Sequence, residues 1–199
     1  NEQLDRIDRL RIEAIQARLS RDLSLERKIL RTLIGLQPQK KEALFALAES
    51  FFHTADADRA IIRYRQALRV DPNFSLAYNH LGHCYSWKGN HAAAMGALER
   101  YVELDGTANS YDSLGVGLLA AGEYSRAKET LAEAIELDPS QSFSKYALAF
   151  AEIFQGRYRS AENHLRQALA ESNSVQDSSS YLHALGFLCR QKRHFREAV

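Results

Sequence analysis

Hydrophobic residues recur along this chain at intervals of three and four, the spacing of residues on one face of an α-helix. One such stripe runs from Ala60 to Leu68, and another runs from Ala127 to Ile135. Pairs such as Gly89-Asn90 interrupt the stripes, and pairs such as Asp71-Pro72 separate them, as turns do. The pattern therefore predicts pairs of helices of about a dozen residues each, joined by tight turns.

The helix pairs repeat with a period close to 34 residues. Each repeat carries a leucine followed by a small residue, and an alanine twelve positions further on. The leucine pairs are Leu47-Ala48, Leu81-Gly82, Leu114-Gly115, Leu148-Ala149 and Leu185-Gly186, and the alanines are Ala60, Ala94, Ala127, Ala161 and Ala198. Successive alanines are 34, 33, 34 and 37 residues apart. Because a small residue lets two helix backbones approach closely, we expect these columns to lie where helices pack.

The repeated motifs resemble the tetratricopeptide repeat (TPR) family. The best-matching unit carries Tyr78, Leu81, Gly82, Tyr85, Gly89, Ala94 and Leu98, and the next carries Tyr111, Leu114, Gly115, Gly122, Tyr124, Ala127, Leu131, Ala134 and Pro139. The departures are Ala55 and Arg193 in place of the turn glycine, Tyr101 in place of a small residue and Glu152 in place of an aromatic residue. The resemblance implies an all-α fold, a right-handed α-solenoid of antiparallel helix pairs.

The period divides the chain into six segments. They are a helical pair at 1–40 that is a divergent repeat or a cap, full repeats at 41–74, 75–107, 108–141 and 142–178, and a partial repeat at 179–199. In the first segment, the apolar residues Leu4, Ile7, Leu10, Ala14, Ile15 and Leu19 predict a helix over 2–20, and a second stripe runs from Leu23 to Leu36. A cap is expected because each unit of a solenoid leaves an apolar side uncovered.

The last two segments are expected to contain a loop and an unfinished helix pair. The serine-rich stretch ESNSVQDSSS at 171–180 is read as a flexible connector that lengthens the fourth repeat. Arg193 then falls at a turn and Val199 within a second helix, so we expect the natural chain to continue. The chain starts at Asn1, so a removed targeting segment would leave no trace.

Composition and charge narrow the class of protein. Of 199 residues, 45% are hydrophobic and 26% are charged, which is ordinary for a globular protein. Lys and Arg number 26 against 25 Asp and Glu, without a basic stripe, so no nucleic-acid partner is expected. No apolar run approaches the roughly 20 residues of a membrane helix, so no membrane insertion is expected. Two lone cysteines, Cys84 and Cys189, favour a reducing compartment, and hence a cytoplasmic location.

The stretch LGHCYSWKGN at 81–90 raises the question of a metal site, because His80, His83 and Cys84 lie close together. His80 and Cys84 fall on a different side of the helix from His83, and no fourth ligand is near in sequence. We therefore predict no metal and no cofactor. The chain also contains no nucleophile elbow and no phosphate-binding glycine loop, so it is predicted not to be an enzyme.

The remaining candidate site is the concave groove formed by the first helix of each repeat. Helical spacing predicts which side chains line it. They are Phe45, Glu49, Phe52, His53, Asn79, His83, Trp87, Asp112, Val116, Leu119, Tyr146, Phe150, Phe154, His183 and Phe187. Some of them are expected only to pack against neighbouring helices, but an aromatic stripe of this length favours a partner that covers it.

The sequence leaves the kind of partner open among three hypotheses. The first is a non-enzymatic scaffold that binds a partner peptide or helix with an apolar or aromatic segment in the groove. The second is a sensory or regulatory segment of a larger, bacterial signalling protein, and the third is self-association. Some TPR proteins clamp acidic C-terminal tails with inward Lys, Asn and Arg, but the matching positions here are Phe45, Glu49, His80, Asn109 and Ser113. A carboxylate tail is therefore not the expected ligand.

Overall fold

A computed structural model describes the backbone of residues 2–198 and the side chains of residues 5–193. Over that range it contains eleven α-helices and no strand, so the predicted all-α class is confirmed. The helices are α1 (Glu2–Leu19), α2 (Leu23–Leu36), α3 (Lys41–Phe52), α4 (Ala57–Val70), α5 (Ser75–Trp87), α6 (His91–Asp105), α7 (Ala108–Ala120), α8 (Tyr124–Leu137), α9 (Ser142–Phe154), α10 (Tyr158–Glu171) and α11 (Val175–Ala198). Within residues 2–198, no helix has the length and apolar character needed to cross a bilayer.

Short turns of similar conformation connect the paired helices. Gly89, Gly122 and Gly156 have φ values of 68°, 80° and 73°, in the left-handed region that glycine adopts without steric cost. Ala55 takes the same conformation with a φ of 56°, although it carries a Cβ. The turn after α3 is stabilised instead by Asp56, whose carboxylate accepts a hydrogen bond from the backbone N–H of Arg59 at 3.1 Å.

The repeated small and apolar columns form the core. Ala60, Ala94, Ala127 and Ala161 are all completely buried. Leu47, Leu81, Leu114 and Leu148 are buried too, and Leu185 packs partly buried against core residues. Ala198, the last member of the alanine column, lies outside the residues whose side chains are described. Each repeat thus buries the stripe that the hydrophobic pattern predicts.

The chain forms two compact units, Asn1–Ala97 and Leu98–Val199. The division falls within α6 and not at a predicted repeat boundary. In unit 1, helices α1 to α5 pack each on the next, and in unit 2, α7 to α11 do the same, with α9 also contacting α7 and α11. Each unit is therefore built mainly from contacts between helices close in sequence.

The first helix buries less of its predicted apolar face than the pattern suggests. Ile7 and Ala14 are buried, but Ile15 and Leu19 are exposed, and the side chain of Leu4 lies outside the described residues. The two N-terminal helices match the predicted segments, while their reading as a divergent repeat or a cap stays a prediction.

The structure corrects the expected serine-rich loop. α10 ends at Glu171 and α11 begins at Val175, so the connector is only three residues long, 172–174. The serines act as helix-capping groups: Ser174 Oγ accepts a hydrogen bond from the backbone N–H of Asp177 at 3.3 Å. Ser142 Oγ donates to the Asp177 carboxylate at 2.8 Å, which fixes this end of α11 against α9.

The turn expected at Arg193 is also corrected. The backbone of α11 is helical without a break from Val175 to Ala198, a length of 24 residues. Neither glycine nor proline occurs near Arg193, so nothing in the local sequence ends the helix there. The predicted second helix of the partial repeat is not a separate element within residues 179–198, and Val199 lies outside the described residues.

Candidate protein-binding surfaces

Unit 1 carries an aromatic cluster, here called cluster 1, formed by Phe45, Phe52, Tyr64, His80 and Trp87. Phe52 stacks on Trp87 with ring centroids 4.5 Å apart, and it makes edge contacts with His80 at 4.9 Å and His53 at 5.7 Å. His80 in turn stacks on Tyr64 at 5.6 Å and meets Phe45 at 5.5 Å. Cluster 1 thus joins residues of α3, α4 and α5, and Trp87 lies at its exposed edge.

Glu49 places a carboxylate inside cluster 1. The hydroxyl of Tyr64, which is fully buried, donates a hydrogen bond to Glu49 Oε1. His80 Nδ1 lies 3.2 Å from the same oxygen, although this buried nitrogen has no hydrogen-bond partner among the described residues. His53 Nε2 lies 3.7 Å from Glu49 Oε2. The predicted groove residues Phe45, Glu49, Phe52, His53 and Trp87 therefore come together around one acidic group.

Burial sets the ionisation of the groups around Glu49. It raises the pKa of the Tyr64 hydroxyl, and the hydrogen bond to Glu49 raises it further. Burial lowers the pKa of His80, while the Glu49 charge acts in the opposite direction and His53 adds to the lowering. At neutral pH cluster 1 therefore presents a neutral imidazole next to a carboxylate.

The other two predicted groove residues of unit 1 lie apart from these ring contacts. Asn79 and His83 are half-buried on α5, and no ring contact to cluster 1 is described for His83 within residues 5–193. Burial lowers the pKa of His83. Asn79 Oδ1 is buried without a hydrogen-bond partner among the described residues. Asn79 and His83 are therefore not part of cluster 1, although the sequence predicts them on the groove face of α5.

Unit 2 carries a second aromatic surface, here called cluster 2, formed by Phe143, Tyr146, Phe150, Phe154 and Phe187. Phe150 lies at its centre, with ring centroids 4.8 Å from Tyr146, 6.1 Å from Phe154 and 5.3 Å from Phe187. Phe154 also stacks on Tyr124 at 5.2 Å. Phe143 is 57% exposed and Phe154 is 48% exposed, so the cluster reaches the surface at both ends.

The polar neighbours of cluster 2 lie at its edges. His183 Nδ1 is 3.3 Å from the hydroxyl of Tyr146, and the Arg190 guanidinium lies 5.9 Å from the Phe187 ring centroid. The predicted groove residues Tyr146, Phe150, Phe154, His183 and Phe187 are thus brought together by α9 and α11. The middle of this surface is aromatic and carries no carboxylate among the described residues.

Three further predicted groove residues serve mainly as packing. Val116 and Leu119 are partly buried against a core formed by Leu131, Ala147 and Leu148. Asp112 accepts a hydrogen bond from Ser144 Oγ at 2.5 Å, and burial raises the pKa of its carboxyl group. These residues of α7 support α9 from the side instead of extending cluster 2.

Sequence reasoning missed one polar site in unit 2. Glu152 occupies a buried aromatic position of the repeat, with a side chain that is 0% exposed. Ser160 Oγ donates to Glu152 Oε1 at 2.7 Å, and His164 Nδ1 lies 2.9 Å from Oε2. An acidic residue in an aromatic column, followed by serine and histidine eight and twelve positions later, is the signal that predicts such a pairing.

The residues that suggested a metal site do not meet. No three His, Cys, Asp or Glu side chains within the described residues are arranged to hold a metal ion. Cys84 is completely buried, and burial raises the pKa of its thiol to about 12. His80 faces Tyr64 and Glu49, so the H-x-x-H-C motif is divided between packing and cluster 1.

The repeated helix pairs define the class of protein as a helical-repeat scaffold. The family follows from two models, each described as tetratricopeptide repeat, which match residues 54–109 and 118–185. Together they cover more than half of the chain, and it belongs to the tetratricopeptide repeat family. The fold predicted from that resemblance, an all-α solenoid of antiparallel helix pairs, is confirmed.

Curated relatives and solved structures agree with this family. The chain is 29% identical to "Small glutamine-rich tetratricopeptide repeat-containing protein 2" of Mycosarcoma maydis over 55% of this chain and 32% of the relative. It is 21% identical to "Anaphase-promoting complex subunit 3" of Schizosaccharomyces pombe over 89% of this chain and 26% of the relative. The chain thus spans about a third of the length of these relatives or less.

Two solved structures show the same fold. MamA from Desulfovibrio magneticus RS-1 superposes with a TM-score of 0.79 at 18% identity, covering 85% of this chain and 98% of that one. PilF of Pseudomonas aeruginosa superposes with a TM-score of 0.72 at 16% identity, with 100% of both chains covered. At these identities the likeness concerns the fold.

Proposed function

We propose that this chain is a non-enzymatic scaffold that binds a partner protein through an apolar or aromatic segment. The main docking surface is cluster 2 of unit 2, and cluster 1 of unit 1 is a second one. The observation that supports this proposal most is the exposure of Phe143 and Phe154 at the two ends of a continuous aromatic surface. Exposed apolar surfaces of this kind mark interaction sites.

The chemistry of cluster 2 favours an apolar partner segment. Its centre holds only aromatic side chains, and its polar groups, His183 and Arg190, lie at the edge. An aromatic side chain supplies a large contact area at small cost in conformational entropy, which is why such residues dominate binding energy at interfaces. A partner helix or extended peptide that places two apolar side chains against Phe150 and Phe154 would fit this surface.

The test uses the exposed ends of the cluster, because Phe150 and Tyr146 also pack against the core of Ala149 and Leu165. A Phe143→Ala/Phe154→Ala variant is compared with Leu137→Ala, which removes a similarly exposed apolar side chain from α8 of the same unit. A partner is first captured with the wild-type chain, purified, and then titrated against each variant by calorimetry. The double variant is expected to bind roughly 30-fold more weakly, and Leu137→Ala is expected to bind like wild type.

A corresponding comparison tests cluster 1. Trp87→Ala removes the exposed edge of this cluster, and Ile62→Ala removes an exposed apolar side chain of α4 outside it. Equal binding by all four variants and wild type would reject both surfaces as docking sites. Light scattering of the free chain over a range of concentrations tests the alternative of self-association, which predicts a mass that rises with concentration.

A further inference from the structure

A cavity of unit 1 remains outside the proposed docking surfaces. It lies between α1, α2 and α3, has a volume of about 500 Å³, and is called the α1–α3 cavity below. Six of its twelve lining residues are polar or charged, and the other six are apolar: Ala14, Ile15, Leu30, Leu33, Ala43 and Ala46. This volume lies within the range of sites that bind small ligands or single side chains.

Glu26 lines the α1–α3 cavity, and only one of its two carboxylate oxygens has a hydrogen-bond partner among the described residues. Its side chain is 1% exposed, and Oε1 accepts a hydrogen bond from Arg18 Nε at 2.6 Å. Oε2 is buried and has no hydrogen-bond partner among the described residues. Because an unpaired buried carboxylate oxygen is unfavourable, a donor that enters the cavity and reaches Oε2 is stabilised there.

Two arginines that line the cavity have hydrogen-bond partners other than Oε2. Besides its bond to Glu26, Arg18 donates to the carbonyl oxygen of Ala46 at 3.5 Å. Arg11 donates to Asp8 Oδ1 at 3.0 Å and to Gln37 Oε1 at 3.3 Å. Arg11 precedes Arg18 by about 10 Å along α1. No donor among the described residues is hydrogen-bonded to Glu26 Oε2.

We propose that the α1–α3 cavity binds an alkylammonium group, whose N–H donates to Glu26 Oε2 while the alkyl chain lies on the alanine and leucine walls. A charged donor forms a stronger hydrogen bond to a carboxylate than a neutral donor does. A lysine side chain combines an apolar stem with a terminal ammonium in this way. Two sources carry this chemistry, a lysine side chain of a peptide and a free alkylamine.

The first experiment titrates n-pentylammonium into the 199-residue chain with labelled alanine methyl groups. Saturable NMR shifts are expected at Ala14, Ala43 and Ala46. The isosteric probes n-pentanol and n-pentanoate are titrated in parallel and are expected to bind about tenfold more weakly or worse. Binding of n-pentanol or n-pentanoate as tight as that of n-pentylammonium overturns the assignment, as does the absence of saturable shifts with n-pentylammonium.

Variants then locate the ammonium. Glu26→Gln keeps the shape of the side chain and is expected to weaken n-pentylammonium binding about tenfold or more. Glu42→Gln removes a carboxylate from an exposed residue that also lines the cavity, and it is expected to change the affinity by no more than about twofold. Equal effects of the two substitutions would show that the ammonium is not held by Glu26.

A third variant covers the case in which Glu26→Gln fails to fold by circular dichroism. Ala43→Leu fills the cavity but leaves the bond between Arg18 and Glu26 in place, and it is expected to abolish the shifts. Undiminished binding to a folded Ala43→Leu chain overturns the proposal. A blocked alanine peptide that contains one lysine is titrated to distinguish the two sources of the ammonium group. Tighter binding of the peptide than of n-pentylammonium identifies a peptide lysine as the ligand, and weaker binding identifies a free alkylamine.

Discussion

The two units each pair a carboxylate with a histidine, but they place it differently with respect to their aromatic residues. In unit 1, Glu49 lies within cluster 1, between Tyr64 and His80. In unit 2, Glu152 points away from Phe150 and Phe154, since residues two apart on a helix lie on nearly opposite faces, and it is buried against Ser160 and His164 of α10. The surface of cluster 1 is therefore polar and titratable, whereas that of cluster 2 is apolar.

The same contrast appears within one column of the repeat. Phe51 of α3 and Glu152 of α9 occupy equivalent positions, and both are buried. In unit 1 the guanidinium groups of Arg27 and Arg59 lie 4.5 and 4.7 Å from the centroid of the Phe51 ring. In unit 2 the carboxylate is held by hydrogen bonds. The repeat therefore accepts either an apolar or an acidic residue here, provided that the neighbouring helix supplies its partners.

The largest expected effect comes from removing the partners of Glu152. Ser160→Ala/His164→Ala leaves a fully buried carboxylate without hydrogen bonds, which is expected to lower the free energy of unfolding by about 3 kcal/mol. Urea denaturation followed by circular dichroism measures the loss. The triple variant that adds Glu152→Met makes this position of unit 2 apolar, as in unit 1, and is expected to recover most of the stability. A double variant as stable as wild type would show that water replaces both partners.

A smaller effect is expected at the small-residue column, where Ala48 of unit 1 corresponds to Gly115 of unit 2. Ala48 is completely buried and its Cβ is accommodated. A Cβ at Gly115 would lie 2.5 Å from Cγ of Leu131, which is itself completely buried. Gly115→Ala is therefore expected to destabilise the chain by about 1–3 kcal/mol, despite the alanine at the same position in unit 1.

Gly186→Ala provides the matched control for Gly115→Ala. Gly186 is in the same column on α11, but a Cβ there meets nothing within 4 Å. Its replacement is expected to stabilise the helix by up to about 1 kcal/mol, because alanine has the higher helix propensity. The thermal unfolding midpoints of Gly115→Ala and Gly186→Ala are compared with that of the wild type to test both expectations. Equal midpoints for the two would mean that the packing at Leu131 relaxes freely.

The smallest expected effect is a dependence of unit 1 on pH. Burial lowers the pKa of His80 and of His83, while an unfolded histidine titrates near 6.5. The unfolded state therefore takes up protons first, and stability falls as the pH drops below about 7 towards the folded-state pKa values. In unit 2 burial raises the pKa of Asp112 above its ordinary value of 3.8. The folded state therefore takes up this proton first, so the contribution of Asp112 to stability increases as the pH falls towards 3.8.

Trp87 is the only tryptophan of the chain, so its fluorescence reports the unfolding of unit 1. The urea midpoint is expected to be lower at pH 5 than at pH 7, and His80→Gln is expected to reduce that difference without removing it, because His83 remains. His91→Gln, an exposed substitution in α6, serves as the control. A midpoint difference identical in wild type and His80→Gln would exclude His80 as its source.

The helix pairs and their core could be predicted from the sequence because each repeat is stabilised mainly by contacts between helices that are consecutive in the chain. A stripe such as Ala60 to Leu68 has only one way to bury its apolar face, and Ala60 and Ala67 are indeed completely buried. The serine-rich segment was misread because serine is common both in loops and at helix N-termini. Ser142, 35 residues before Asp177, is one of the groups that fix the start of α11.

The candidate site was only partly predictable. Helical spacing placed Tyr146, Phe150 and Phe154 on one face of α9, and their rings are in contact along it. Helical spacing did not include Tyr64 and His80 among the predicted groove residues, although both belong to cluster 1. Tyr64 lies on α4, and His80 lies at a position of α5 that was not assigned to the groove. Asp112 and Leu119 are turned towards packing, which depends on how α7 and α9 meet.

The sequence by itself determined the class, the family and the positions of α1 to α10, because periodicity and turn residues act over a few neighbouring positions. Tertiary structure decided which groups surround the carboxylates. Glu49 meets Tyr64 of α4 and His80 of α5, and Glu152 meets Ser160 and His164 of α10. Glu26 lines a cavity only because α1 and α3 both pack against α2. Such environments depend on groups brought together from separate helices, which no local pattern records.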